Sequence, residues 1–157
     1  MTEHDRAYAG GCQCGRIRYE IRGEPLTLYC CHCTECQRQS SSAFGMSMPV
    51  RSSDLVIIQG EPKEWRRPAE SGREVICRFC PDCGTRLFHN PTRNLKVTNV
   101  KPGTLDDTKW LRPVGHLWTR SAQTWVNLGD LLSYEQQPDD FTELFARWPR
   151  RARSPGE

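Results

Sequence analysis

Four of the nine cysteines in this 157-residue chain lie in one short stretch, YCCHCTECQRQ, at residues 29–39. A hydrophobic core needs volume, which cysteine supplies poorly. A disulfide framework needs cysteines that are spread apart, so that the bridges close long loops. Because the stretch suits neither purpose, we interpret its thiols as chemically active. Cys31, Cys33 and Cys36 would form a compact cluster of three thiolates.

Two further pairs of cysteines have the spacing of metal ligands. Cys80 and Cys83 lie in CPDCG, a zinc-knuckle pattern whose final glycine lets the backbone curl beneath an ion. Cys12 and Cys14, in GGCQCG, would complete the four ligands of a closed tetrahedral site. The sequence therefore predicts a structural zinc held by these four residues, with buried thiols that hold no metal as the alternative.

The three-thiolate cluster lacks an evident fourth ligand. Three protein ligands and an open position are typical of a catalytic zinc. His32, Glu35 and Gln37 are candidate fourth ligands, but an extended backbone would turn His32 away from its neighbours. We therefore interpret His32 as a surface residue or as a support for the ligands. A second structural zinc, closed by Cys30 or by a distant residue, is the alternative.

Short strands with alternating apolar residues dominate the elements that must position these cysteines. In RIRYEIRG, Ile17, Tyr19 and Ile21 would face one side of a strand. Further strands are predicted in LTLYC, AFGMSMPV, LVIIQG, EVICRF, NLKVTNV and GHLWTRSAQTWVNL. A short C-terminal helix is predicted over 139–148, where apolar residues recur with helical spacing. We expect one mostly-β domain over residues 10–148, an N-terminal extension over 1–9 and a basic flexible tail over 149–157.

Composition and charge narrow the class of protein. The net charge of +3 is too small to indicate nucleic-acid or membrane binding, and neither partner is expected. The first ten residues lack the apolar run of a signal peptide. The lack of such a run and the odd number of cysteines both favour a reducing, cytoplasmic location. Hydrophobic residues make up only 36 % of the chain, so either a bound metal or an oligomer would help to stabilise a lean core.

Three segments, GGCQCGRIRYE, CCHCTECQRQSSSAFG and RFCPDCGTRLF, together resemble the glutathione-dependent formaldehyde-activating enzyme family, which also includes centromere protein V. A later segment, RPVGHLWTRSAQTW, contains His116 and Trp125 and resembles the final strand motif of that family. The likeness runs from about Gly10 to about Pro138. It implies several small antiparallel sheets around two zinc sites, similar to the Mss4-like or β-tent architecture.

The resemblance implies the same division of the ligands as the spacing does. The structural zinc would be held by Cys12, Cys14, Cys80 and Cys83. The functional zinc would be held by Cys31, Cys33 and Cys36, which would be the catalytic residues. We expect two zinc ions per chain, one bound much more tightly than the other. Cys30 and Cys77 match no family role and are interpreted as small buried strand residues.

The activity implied by the resemblance is the condensation of glutathione with formaldehyde to S-hydroxymethylglutathione, which in reverse is a carbon–sulfur lyase reaction. Its partners would be a thiol such as glutathione and a small aldehyde. A non-catalytic, zinc-stabilised module that binds glutathione or another thiol is the alternative. A nucleic-acid-associated protein is a weaker third hypothesis, because only residues 147–153 form a dense basic segment.

Binding of glutathione carboxylates would need cations near the three-thiolate cluster. The candidates from the sequence are Arg16, Arg38, Arg51 and Arg86. Three tryptophans could form either the wall of a pocket or part of the core: Trp110, Trp118 and Trp125.

Overall fold

The computed structural model describes residues 7–69 and 72–149. Within these ranges the chain is mostly β with a short C-terminal helix, which confirms the predicted fold class. Residues 1–6 of the predicted extension and 150–157 of the predicted tail lie outside the described residues, so the domain boundaries stay predictions.

The strands are β1 (Tyr8–Gly11), β2 (Arg18–Ile21), β3 (Tyr29–Cys31), β4 (Gly45–Arg51), β5 (Leu55–Gln59), β6 (Lys63–Pro68), β7 (Glu74–Phe79), β8 (Arg86–Pro91), β9 (Val97–Val100), β10 (Gly115–Leu117) and β11 (Leu132–Tyr134). The α-helices are α1 (Thr34–Ser40) and α2 (Thr142–Arg147).

Two sheets contain these strands. The smaller has the order β1-β2-β5, and the larger has the order β11-β10-β3-β4-β9-β8-β7-β6. Most neighbouring strands are antiparallel, whereas β10 pairs in parallel with both β3 and β11. Because β3 lies between β4 and β10, the cysteines at its end are held by strands on both sides.

The core lies between the two sheets and follows the alternation in the sequence. Ile17, Tyr19 and Ile21 are at most 1 % exposed, as the pattern predicts. Tyr19 packs edge-on against Phe88 of β8, with ring centroids 5.0 Å apart. This contact joins the smaller sheet to the larger one.

Helix α1 follows β3 directly and was not predicted from the sequence. It has no apolar stripe, and none of its residues is fully buried. Gly45 of β4 lets the helix approach the sheet. A Cβ at this position would lie 3.3 Å from Cβ of Cys36 and 2.9 Å from Nε2 of Gln39. The absent side chain therefore allows Cys36 to lie directly against the strand.

Helix α2 lies within the predicted range 139–148 but begins at Thr142. Oδ1 of Asp140 accepts a hydrogen bond from the Thr142 backbone N–H at 2.9 Å, as expected of an aspartate near the start. Leu144 is fully buried, and its carbonyl accepts a hydrogen bond of 2.8 Å from the Thr27 hydroxyl. These contacts fix the C-terminal segment beside β3. Neither described helix has the length and apolar character needed to cross a membrane.

Candidate metal centres and the adjoining cavity

The two cysteine pairs that are far apart in the sequence meet in one cluster. Sγ of Cys14 lies 3.5 Å from Sγ of Cys12 and 3.7 Å from Sγ of Cys80. With Cys83 included, all four sulfurs lie within 4.8 Å of one another. Sulfurs bound to one tetrahedral zinc at about 2.3 Å would be about 3.8 Å apart. The four-cysteine cluster therefore has the ligands and dimensions of a structural zinc site.

Two tight turns produce this cluster, and each ends at a glycine with positive φ. Gly15 follows the first pair with φ of 80°, and Gly84 follows the second with φ of 77°. The Gly84 N–H donates to the Cys80 carbonyl at 2.9 Å. Hydrogen bonds from the Thr85 side chain and backbone lower the pKa of Cys83 to about 5. The turn therefore favours the thiolate, which is the form that binds a metal.

Cys31, Cys33 and Cys36 form a second cluster at the junction of β3 and α1, and their sulfurs also lie within 4.8 Å of one another. Cys33 is the N-cap of α1, and its Sγ accepts a hydrogen bond of 3.3 Å from the Cys36 N–H. Hydrogen bonds from the other two thiols and from the helix N-terminus lower the pKa of Cys33 to about 2. The three-cysteine cluster therefore also fits a thiophilic metal such as zinc.

The described residues supply only these three ligands to the second cluster. No His, Asp, Glu or further Cys of the described ranges joins its sulfurs within 4.8 Å, so Cys30 and Glu35 are not part of it. Cys30 is instead a buried strand residue, as predicted, and so is Cys77. The Gln37 amide donates to the carbonyls of His32 and Ser121. Among the described residues, the three-cysteine cluster therefore has one ligand fewer than a closed tetrahedral zinc site needs.

His32 is fully buried, so its interpretation as a surface residue is wrong. Its Nε2 lies 2.8 Å from Nδ1 of His116 in β10. The reason is that β10 pairs edge to edge with β3 and brings the His116 ring beside His32, while the Phe44 ring also packs against His32 with ring centroids 5.3 Å apart. His116 therefore contacts and supports the segment that carries the three cysteines. The sequence had linked this histidine only to a late strand motif.

A cavity of about 390 Å³ opens beside the three-cysteine cluster and is lined by all three cysteines. Its wall also contains more cationic than acidic side chains. The basic residues that line it are Lys101, Arg67, Arg73, Arg93 and Arg120, and the acidic ones are Glu35 and Glu74. This excess of positive charge suits an anionic ligand.

The arginines proposed from the sequence do not line this cavity. Arg16 pairs with Asp82 in the CPDCG turn, and Arg51 lies 3.9 Å from Asp54; neither lines the cavity. Arg38 is exposed on α1, although it is close to the cysteines in sequence. Arg86 donates to Nε2 of His89 at 2.9 Å and so reaches the cavity only through that ring. The arginines that do line the cavity belong to strands and loops that are distant in sequence from the three cysteines. The local sequence does not show that these segments come close to the cluster.

The deepest cation of the cavity is Lys101, which is only 7 % exposed. Its Nζ donates a hydrogen bond of 3.3 Å to Oγ of Ser47. Ser47 is the cross-strand partner of Tyr29, and both side chains also line the cavity. Burial raises the pKa of Tyr29, so that its hydroxyl keeps its proton. The cavity therefore combines three thiols with a buried group of hydrogen-bond donors.

The C-terminal segment forms the opposite, largely apolar wall. Phe141 and Phe145 line the cavity together with Trp118. The guanidinium of Arg93 lies 6.0 Å from the Phe141 ring centroid, and that of Arg120 lies 4.9 Å from the Trp118 ring centroid. Trp118 is thus a wall residue. By contrast, Trp110 packs against the core and Trp125 is 74 % exposed.

Comparison with known proteins identifies a matching family and a solved structure with a similar fold. The family model of the glutathione-dependent formaldehyde-activating enzyme matches residues 7–121. Among solved structures, a Rhodobacter sphaeroides protein from structural genomics has a similar fold. The TM-score is 0.52 at 21 % sequence identity, and the match covers 80 % of this chain and 98 % of that chain.

Proposed function

The chain belongs to the glutathione-dependent formaldehyde-activating enzyme family, and from this we propose that it is a zinc enzyme that joins a thiol to a small aldehyde. In the reverse direction it acts as a carbon–sulfur lyase on the adduct. The thiol is glutathione or a similar molecule. The first substrate pair to test is glutathione with formaldehyde, whose product is S-hydroxymethylglutathione.

One observation carries the proposal: three thiols with no fourth protein ligand among the described residues open into a cationic cavity. A closed structural site would have four protein ligands. Glutathione carries two carboxylates and one ammonium group, so its anionic ends match the cations of the wall. The site therefore offers a place both for a sulfur and for the charges of the molecule that carries it.

The positions of the cysteines, arginines and aromatic residues around the cavity suggest a different role for each group. Cys31, Cys33 and Cys36 would hold the zinc, which supplies an open position for the sulfur of the substrate as a thiolate. The exposed guanidinium groups of Arg73 and Arg93, at the rim of the cavity, bind carboxylates. Phe141 and Trp118 cover the apolar part of the thiol and exclude water around the sulfur.

A thiol carrier without catalysis is the second candidate, and the charge of the proposed site favours it. Three thiolates would leave a bound zinc with a net charge of −1, which weakens its ability to polarise an aldehyde. Formaldehyde and thiols also combine readily without a catalyst. In that case the cavity would hold glutathione or its adduct and release it unchanged.

Exchange spectroscopy by NMR separates these candidates. Glutathione and formaldehyde at equilibrium interconvert with S-hydroxymethylglutathione, and the exchange rate is measured with and without the zinc-loaded protein. An enzyme accelerates the exchange, and Cys33→Ser abolishes the acceleration. Glutathione binding with an unchanged exchange rate supports the carrier. If the protein neither binds glutathione nor accelerates exchange, both candidates are wrong for this thiol.

A further inference from the structure

We propose that Lys101, with Ser47 beside it, binds the oxygen of the aldehyde and of its thiol adduct. This inference rests on the proposed function and assigns a catalytic residue to the same site. Lys101 lines the cavity that also contains the three cysteines. A donor here would face the oxygen while the sulfur is held at the cysteine cluster.

The first argument is the poor pairing of a buried cation. Lys101 is 7 % exposed, and its ammonium group can donate three hydrogen bonds. Among the described residues its Nζ donates to one group, the neutral hydroxyl of Ser47, at the long distance of 3.3 Å. No carboxylate of the described residues forms an ion pair with it. Because the donors of a buried ammonium group are normally satisfied, the two vacant ones indicate an oxygen ligand in the cavity.

The second argument is that the Lys101 backbone is fixed. Its N–H donates to the Leu87 carbonyl at 2.9 Å, and its carbonyl accepts from the Thr104 hydroxyl at 2.7 Å. The hydroxyl groups of Thr104 and Tyr19 also lie 2.7 Å apart, and Tyr19 belongs to the core. The lysine therefore projects from a rigid position, which a catalytic donor requires.

The third argument is depth. Arg73 and Arg93 are exposed at the rim of the cavity, whereas Lys101 is buried in its wall. Rim cations suit the carboxylates of the thiol, which remain partly hydrated. A buried ammonium group can therefore donate a hydrogen bond to the oxygen at a depth from which bulk water is excluded.

The chemical step is balanced without any other reactant. The sulfur of the thiol forms a bond to the carbonyl carbon, and the π electron pair of the C=O bond moves to the oxygen. Lys101 donates a proton to that oxygen, and the proton lost by the thiol restores the ammonium group. The product is the hydroxymethyl thioether, and the reverse sequence of transfers breaks the carbon–sulfur bond.

The test compares two small probes that bind through sulfur. Thioacetate carries an oxygen two bonds from its sulfur, as the adduct does, whereas ethanethiol carries none. Binding of each to the zinc-loaded protein is measured by calorimetry at one pH, for wild type and for Lys101→Met. The ratio of the two affinities should fall about tenfold in Lys101→Met, since a charge-assisted hydrogen bond is lost. The different acidities of the two thiols cancel when the ratios are compared.

Matched variants complete the experiment. Lys63→Met removes an exposed lysine outside the cavity and should leave the ratio unchanged. Lys101→Arg keeps the charge but moves the donors, so a smaller fall is expected, and this variant replaces Lys101→Met if the latter does not fold. An unchanged ratio in both Lys101 variants overturns the proposal. Loss of the second zinc from Lys101→Met also overturns it, because the lysine would then serve the cysteine cluster.

Exchange rates keep this inference separate from the proposed function. The wild-type protein could fail to accelerate exchange and still show a preference for thioacetate that depends on Lys101. That result would reject the proposed enzyme activity and support the assignment of Lys101 as an oxygen-binding residue. If Lys101→Met accelerates the exchange as much as the wild type does, the proposed enzyme activity stands and Lys101 is not its catalytic residue.

Discussion

Sγ of Cys14 lies 3.7 Å from Sγ of Cys80, although 66 residues separate the two in the sequence. Cys14 follows β1 of the smaller sheet, and Cys80 follows β7 of the larger one. An ion between them would therefore join the two sheets at the edge of their shared core. The described residues contain no other cluster of four such ligands, so this junction should carry much of the stability of the fold.

The first prediction concerns this junction. Cys80→Ser and Cys12→Ser should each lose more than about 5 kcal/mol of the free energy of unfolding, because structural zinc binding is also folding free energy. Thermal unfolding and zinc content of the purified proteins measure the effect. Cys77→Ala is the control, since Cys77 is a buried strand thiol outside both clusters and should cost about 1 kcal/mol. Full stability of Cys80→Ser without zinc would reject the assignment.

The second prediction concerns the three-cysteine cluster. Cys33→Ser should keep the fold, because serine is also a good N-cap and can accept the hydrogen bond from the Cys36 N–H. It should nevertheless lose the second zinc, since two thiolates and a hydroxyl form a poor site. Native mass spectrometry should show two zinc ions in wild type and one in the variant. A melting transition lowered as far as that of Cys80→Ser would contradict the open-site assignment.

The third prediction concerns the sulfur of the ligand. If the thiolate of glutathione occupies the open position, S-methylglutathione should bind at least about tenfold more weakly, because a thioether is a poor zinc ligand. The two molecules have the same carboxylates and the same peptide backbone, so the difference reports the sulfur alone. Calorimetric titration measures both affinities. Equal affinities would show that the peptide part of glutathione, and not its thiol, determines binding.

The fourth prediction concerns the rim of the cavity. Arg93→Gln should weaken glutathione binding by about three- to tenfold, the effect of losing one exposed contact to a carboxylate. Arg38→Gln is the matched control, because Arg38 is equally charged and nearer to the cysteines in sequence but does not line the cavity. Equal losses in both variants would show that the net charge of this face, and not a specific contact, attracts the ligand.

The fifth prediction concerns pH. Burial lowers the pKa of His89 well below its ordinary value of 6.5, and the charges of Lys101, Arg86 and Arg67 act in the same direction. The unfolded chain therefore takes up a proton below about pH 6.5, whereas the folded protein does not. Stability should be unaffected by this group above pH 6.5 and should fall below it, by roughly 1 kcal/mol per pH unit.

Urea unfolding of wild type and His89→Gln at pH 7.5 and pH 5.5 tests this prediction. The loss of stability between the two pH values should be about 1 kcal/mol smaller in the variant. Comparing the two proteins removes the effect of acid on the cysteine clusters, which both share. An equal loss in the two proteins would show that His89 is protonated in the folded state.

The sequence predicted features that depend on short spacings. Alternation identified Ile17, Tyr19 and Ile21 as one buried face, and helical spacing identified the segment that contains α2. Close spacing of the cysteines identified the two ligand pairs and the three-cysteine cluster, because ligands in one tight turn can reach the same point. That the two distant pairs share one site followed from the ligand count, since a closed tetrahedral zinc needs four ligands and each pair supplies two.

Features that depend on distant contacts were not predictable in the same way. The short helix α1 has no apolar stripe, and it lies close to β4 at Gly45, where a side chain would crowd Cys36 and Gln39. His32 was interpreted as a surface residue or as a support for the ligands, and its burial was not predicted because nothing local indicates that β10 pairs with β3. Lys101 was missed for the same reason, since a lysine after a strand is usually exposed.

The C-terminal wall of the cavity has a consequence for how this protein can diverge. The family match ends at residue 121, whereas Phe141 and Phe145 lie beyond it. All seven cysteines of the two clusters lie before it. Substitutions of Phe141 and Phe145 can therefore change the size and shape of the cavity without replacing any cysteine of the two clusters. If the proposed function is right, variation confined to this terminal segment would change which thiol fits while the seven cysteines stay the same.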